Sequence, residues 1–199
     1  MLALKRRGSA RQTVGESPQV LTEVLQDGVN LAVWQRQLPV HVADFAQVLL
    51  SLGQPLAESL TLELQPDDDA PALRGLAAAY ADLQGYEGFI CDVRWLVGAY
   101  ACLLDARRVG LRLRALEGAM CPRFHVDHVP ARLICTYAGP GSEWLTAPDA
   151  VQVEQLSTGD VAVLKGERWL GNEGQGLVHR SPAVPAGQRR LMLTLDWMA

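Results

Sequence analysis

Three of the five residues in Phe124-His125-Val126-Asp127-His128 can hold a metal ion or move a proton, in a chain with only four histidines. On an extended segment, side chains two apart share a face, so His125 and Asp127 stand together while Val126 and His128 point away. The remaining downstream histidine is His179, in "GLVHRSP". Two histidines and one carboxylate on one side of an octahedral ion leave three positions open, which suits iron(II) holding a chelating co-substrate together with oxygen. The same spacing also suits a buried turn in which His125 and Asp127 simply hydrogen-bond each other. A helical turn would gather a different set, the Cys121 thiolate with His125 and His128, and such ligands favour zinc. Pro122 and Pro130 oppose a continuous helix there, which makes Cys121 and His128 the weaker candidates.

Other chemistry is thinner. Ser142 in "GPGSEW" lacks the G-x-S-x-G spacing of a nucleophile elbow, because Trp144 stands where the second glycine would be. "GNEGQG" lacks the Lys and Ser/Thr of a phosphate loop and reads as a hairpin or lid. Arg108, Arg112 and Arg114 alternate with apolar residues, and a solvated strand face is the simpler account of them than an anionic partner.

The elements that must position these groups change character along the chain. "SPQVLTEVLQDG" has a helix start at Ser17 and Pro18 and a stop at Gly28, and "HVADFAQVLLSLG" is a second helix, with His41 near its start. Between and after them "NLAVWQR" and "LTLEL" have strand character. An acidic turn at 67–69 precedes an Ala- and Leu-rich stretch that splits into two helices near Gly85. From Val109 onward short strands dominate: "RVGLRLRALEG", "ARLICTYAG", "VQVEQL", "GDVAVLKG", "GLVHRS" and "RRLMLTLDW", separated by Gly and Pro turns. Helices followed by strands predict an α+β fold, its strands forming a sandwich or barrel with helices on one side.

The chain has 199 residues, enough for one sizeable core, so the expectation is a flexible tail over 1–17 and a single domain over 18–199. Within that domain 18–107 is helix-rich and 108–199 is the β core. A net charge of -4 gives no general attraction to nucleic acid or to an anionic membrane surface, so the expected partner is a small-molecule or protein substrate. No apolar run reaches the roughly 18 residues of a membrane span. Four cysteines form no CxxC pair, and three lie in apolar company as small hydrophobes, a usage that fits the reducing cytoplasm.

The order of elements from Arg112 to Trp197 resembles the double-stranded β-helix (jelly-roll, cupin-like) oxygenases that use iron(II) and 2-oxoglutarate, in their prolyl-hydroxylase-like branch. The matching pieces are His125-Val126-Asp127, "LICTYAGPGSEW", the Gly159-Asp160 turn, "GQGLVHRSPAVPAG" and "GQRRLMLTLDW". The resemblance implies that His125, Asp127 and His179 hold the metal. It implies further that Arg189 pairs with the far carboxylate of 2-oxoglutarate and that Tyr137 donates a hydrogen bond to the same group. Arg190 competes with Arg189, since strand register decides which one points inward. The whole chain is also similar to an uncharacterised proteobacterial family of unknown function, with "P-x-F-H-x-D" and "T-Y-x-G-x-G" patterns, whose genes often stand among zinc-responsive ones. That similarity makes a zinc-binding, zinc-homeostasis accessory protein without oxygenase activity the alternative, with Zn(II) at the same site.

Overall fold

The computed structural model describes residues 10–64, 72–147 and 150–198. Ten strands and two α-helices follow one another as β1 (Arg11–Gly15), β2 (Val29–Trp34), α1 (Val40–Ser51), β3 (Ala57–Glu63), α2 (Tyr86–Leu104), β4 (Arg108–Leu116), β5 (Ala131–Ala138), β6 (Glu143–Leu145), β7 (Val153–Gln155), β8 (Val161–Lys165), β9 (His179–Arg180) and β10 (Arg190–Trp197). Seven strands form one sheet in the order β1-β2-β8-β5-β10-β4-β3, and β7-β6-β9 form a small second sheet. Among the described residues no helix is long and apolar enough to cross a membrane.

Strand periodicity divides the large sheet into two faces. Leu133, Cys135 and Tyr137 of β5, Val161 and Val163 of β8, and Leu191, Leu193 and Leu195 of β10 pack against Phe45 of α1 and Phe89 of α2 in the main core. The alternate residues Ile134, Ala162, Leu164 and Met192 turn the other way. They meet Trp144 of β6, Leu156 and Leu177 in a second cluster on the side of the small sheet. The candidate site therefore belongs on the face opposite the helices, and a one-residue change of register would exchange every side chain between the two environments.

This arrangement has the expected α+β class, with helices on one outer face of a β roll. The first half nevertheless contributes more than helices, because β1, β2 and β3 form both flanks of the large sheet. Part of the stretch expected as a tail over 1–17 is a strand. Arg11–Gly15 pairs in parallel with Val29–Trp34, drawn there because Val29, Leu31 and Val33 form a buried strand with an edge to cover. Residues 1–9 and the acidic cluster at 67–69 lie outside the described residues.

Two of the expected helices differ. Pro18–Leu25 winds as a 3-10 helix. The Ala-rich stretch before Gly85 forms turns with a short 3-10 segment at Ala78–Tyr80. There Ala77 takes a left-handed conformation, φ 51°, and its N–H bonds Glu58 Oε2 at 2.7 Å, so tertiary contacts override alanine's helix propensity. Gly85 fits its place because φ is 89° and a Cβ would lie 2.1 Å from the His41 carbonyl oxygen. The four cysteines are free, and only Cys135 is buried; Cys91 and Cys102 stand on the exposed side of α2, so apolar neighbours in sequence do not bury them. Burial pushes the Cys135 thiol up to about 12.

Candidate metal centre

His125 lies outside the regular strands, yet its backbone is fixed. Its N–H donates to the His179 carbonyl at 3.0 Å, and the His179 N–H donates back at 2.9 Å, so the two residues extend the small sheet by one antiparallel bridge. Asp127 follows on the same extended run, its carbonyl accepting the Glu167 N–H at 2.9 Å. Gly166 permits that approach, since a Cβ there would meet the Asp127 carbonyl oxygen at 2.5 Å.

His125, Asp127 and His179 thereby offer one ligand atom each, all within 4.8 Å of one another. The Nδ1 of His125 lies 2.9 Å from the Arg123 carbonyl and that of His179 lies 3.1 Å from the Leu177 carbonyl. A carbonyl can only accept, so both rings carry their proton on Nδ1 and present the Nε2 lone pair inward. His179 Nε2 is 3.3 Å from Asp127 Oδ2, and His125 Nε2 is 3.6 Å from Oδ1. In that tautomer lone pairs face a carboxylate, and Asp127 Oδ2 is buried with no hydrogen-bond partner. A cation among the three would satisfy Oδ2 and both ring nitrogens at once, so the donor set fits a metal ion. Burial works against the Asp127 charge, yet the carboxyl lies below its usual range, and the Arg132 guanidinium, with Nη1 at 2.7 Å from Oδ1, is among the groups that favour the anion.

Around the triad Arg112, Cys121, Arg132, Ser142, Arg180, Met192 and others line a cavity of about 40 Å³. The face opposite the helices brings Arg132 there, where its Nη1 donates to Asp127 Oδ1 at 2.7 Å. Arg190 also lies on this face, in step with Met192 and Thr194. It is fully buried, and Nη2 alone finds partners, at Thr136 Oγ1 (3.1 Å), Ser142 Oγ (3.3 Å) and Met192 Sδ (3.1 Å). Its Nε and Nη1 have none, and burial without a facing carboxylate pushes its pKa down to about 10.

The other residues expected at the site lie elsewhere. Arg189 points to the opposite side, donating at 3.2 and 2.9 Å to the carbonyls of Leu50, in the last turn of α1, and Gln54, just after it. Strand parity thus places Arg190, and not Arg189, on the site face. Tyr137 shares the parity of Leu133 and Cys135 and sits in the helix-side core, where its hydroxyl donates to Asp92 Oδ2 at 2.6 Å. Replacing Tyr137 by phenylalanine is expected to cost about 1.5 kcal/mol, the low end for a bond to a charged group, because Asp92 keeps its fork from Arg36. Denaturant unfolding checks that cost, and calorimetric titration should show unchanged 2-oxoglutarate binding. His128 is exposed beside Glu167. Cys121 lines the cavity without joining the ligand cluster. The "GNEGQG" loop is tied to β2 through Asn30 Nδ2 and the Gln175 carbonyl, at 3.0 Å, and does not border the cavity.

Arg132, Asp196, Thr136 and Ser142 were not singled out for this site by sequence. The signal for Arg132 and Thr136 was present in "ARLICTYAG", where they alternate with the core residues Leu133 and Cys135 and so share the face of Ile134.

Solved structures share this architecture at low identity. Dioxygenase for auxin oxidation 1 from Arabidopsis thaliana, in its binary complex with 2-oxoglutarate, superposes with a TM-score of 0.58 at 10% identity, over 96% of this chain and 92% of that one. The dioxygenase for auxin oxidation of rice gives 0.50 at 17% identity, over 96% and 83%. A Pseudomonas putida prolyl-4-hydroxylase gives 0.48 at 12% identity, over 90% and 96%. The fold is the double-stranded β-helix of such oxygenases, although the two sheets here are not closed into a barrel. No curated protein matches the sequence. A family model described as "Protein of unknown function (DUF1826)" matches residues 15–196.

Proposed function

The chain belongs to that DUF1826 family, which brings no reaction with it, and we propose from the site itself that the protein is a cytoplasmic iron(II)- and 2-oxoglutarate-dependent oxygenase acting on a small-molecule or protein substrate. The observation that carries this reading is the pairing of an ion-ready His125, Asp127 and His179 with a buried guanidinium that has no counter-charge. A metal site alone would not need Arg190. A co-substrate that chelates a metal at one end and ends in a carboxylate at the other needs both.

His125 Nε2, Asp127 Oδ2 and His179 Nε2 would hold the metal, the two nitrogens kept in the required tautomer by backbone carbonyls. Bound iron(II) supplies oxygen activation, driven by oxidative decarboxylation of the keto acid to succinate and carbon dioxide. Arg190 binds the far carboxylate through the Nε and Nη1 donors that lack partners, while Thr136 and Ser142 orient Nη2. The apolar wall of Ile134, Leu164, Trp144 and Met192 excludes water from the buried end.

Aerobic incubation with iron(II) and 2-oxoglutarate should yield succinate even without the true substrate, and His125→Ala should abolish it. Tight stoichiometric zinc together with no 2-oxoglutarate binding to the metal-loaded protein would overturn the oxygenase reading and support a zinc-binding accessory protein on the same fold.

A further inference from the structure

We propose that Arg132 is a positioning residue that holds Asp127 to a single donor oxygen, leaving Oδ2 for the metal and withholding Oδ1. This inference rests on the metal reading above and concerns how the ligand is presented.

Four charged side chains run in series from the centre towards solvent. Arg132 Nη1 donates to Asp127 Oδ1 at 2.7 Å. Its Nε and Nη2 fork onto Asp196 Oδ1 and Oδ2 at 2.6 and 3.0 Å. Asp196 also receives Arg112 Nη2 at 2.9 Å, and Arg112 is half exposed at the rim. The sheet explains the series: Asp196 of β10 is directly opposite Arg132 of β5, and Arg112 reaches Asp196 diagonally from β4. With two of its nitrogens clamped, the guanidinium cannot swing, so the third fixes the plane of the Asp127 carboxylate.

The two oxygens of Asp127 are treated differently as a result. Oδ1 has a short charge-assisted bond, whereas Oδ2 is buried and unpartnered beside His179 Nε2. A carboxylate free to bind through both oxygens would occupy two positions of an octahedral ion and leave too few for a chelating co-substrate and oxygen. A lysine cannot substitute, because a point charge cannot fork onto Asp196 and reach Asp127 at once.

The alternative is that the series merely braces β5 against β10. Cobalt(II) affinity by chelator competition, its visible spectrum and the thermal midpoint separate the two in wild type, Arg132→Gln, Arg132→Lys and Asp196→Asn. Positioning predicts roughly 10–100-fold weaker cobalt(II) binding in all three variants, the range typical of second-layer partners, with an altered spectrum and no rescue by lysine. Folded variants with lower midpoints but wild-type affinity and spectrum would overturn it. If the Arg132 variants do not fold, Asp196→Asn decides, since it loosens Arg132 without removing it. Wild-type protein that binds no cobalt(II) would instead overturn the metal reading, and this inference with it.

Discussion

Arg190→Met is expected to make the protein more stable and unable to hold 2-oxoglutarate. Both effects come from one circumstance, a guanidinium buried without a carboxylate. At neutral pH a group with a pKa near 10 remains protonated, so a full charge sits in a site where only Nη2 is hydrogen-bonded. Replacing buried charge by an apolar side chain of similar length is commonly neutral or stabilising by about 1–4 kcal/mol. Methionine keeps most of the length and fills the space flexibly. For a chain of this size each kcal/mol moves the midpoint by about 2–4 °C. The pH dependence has a definite sign. The folded pKa is depressed to about 10, below that of the unfolded chain, so above about pH 10 the unfolded chain binds more protons, and the wild type should recover this part of its stability only as pH rises beyond that value. Against this gain, an anion loses its only buried partner charge. Breaking such a pair costs about 3–5 kcal/mol, which is more than a hundredfold in affinity. Calorimetric titration of the anaerobic metal-loaded protein and thermal unfolding measure the two sides. Arg189→Met serves as the contrast, since that side chain caps backbone carbonyls at the end of α1 and its loss should leave 2-oxoglutarate affinity unchanged. An Arg190→Met protein that is less stable and still binds the keto acid would refute the assignment.

The second large effect is expected at His179. In wild type, cobalt(II) or iron(II) at 100 times its dissociation constant should add about 2.7 kcal/mol of stability. His179→Ala should abolish that increment and stoichiometric metal binding with it. The backbone bonds between residues 125 and 179 do not depend on the side chain, so the small sheet should persist and the loss should be one of ligation. The metal-free variant should unfold close to the metal-free wild type. Removing a buried imidazole leaves a void, but it also removes a lone pair set against Asp127 Oδ2. Thermal shift with and without metal, alongside elemental analysis, checks this; a variant that keeps the metal-induced shift would exclude His179 as a ligand.

A strand's period of two made His125 and Asp127 legible in the sequence as neighbours on one face, whereas the place of His179 beside them rested on the family resemblance. The residues proposed to bind 2-oxoglutarate were less legible for the same reason. Arg189 and Arg190 differ by one residue, and only the pairing of Met192 with Thr136 and of Leu193 with Cys135 decides that Arg190 faces inward. Tyr137 illustrates the hazard further: its hydroxyl suited the chemistry, while its parity with Leu133 and Cys135 already assigned it to the helix side. The first half misled through propensity. Alanine and leucine between 72 and 85 favour a helix locally, yet Leu73, Leu76, Ala77 and Tyr80 are buried against the main core in a chain of turns. Arg132 and Asp196 could not be paired from sequence, because their contact is a product of the β5–β10 register.

The reciprocal bonds between His125 and His179 have a consequence for the order in which the protein assembles. The small sheet has strands of three, three and two residues within 143–180, and its bridge to His125 closes the chain from 125 to 179. Closing such long loops is entropically unfavourable until something else has brought their ends together. The large sheet, with strands of eight and nine residues at its centre, is the part able to form first and provide that framework. The two imidazoles then meet as one of the last events of folding, and under the proposed function metal capture would be the closing step of maturation, open only to a chain whose scaffold is already correct.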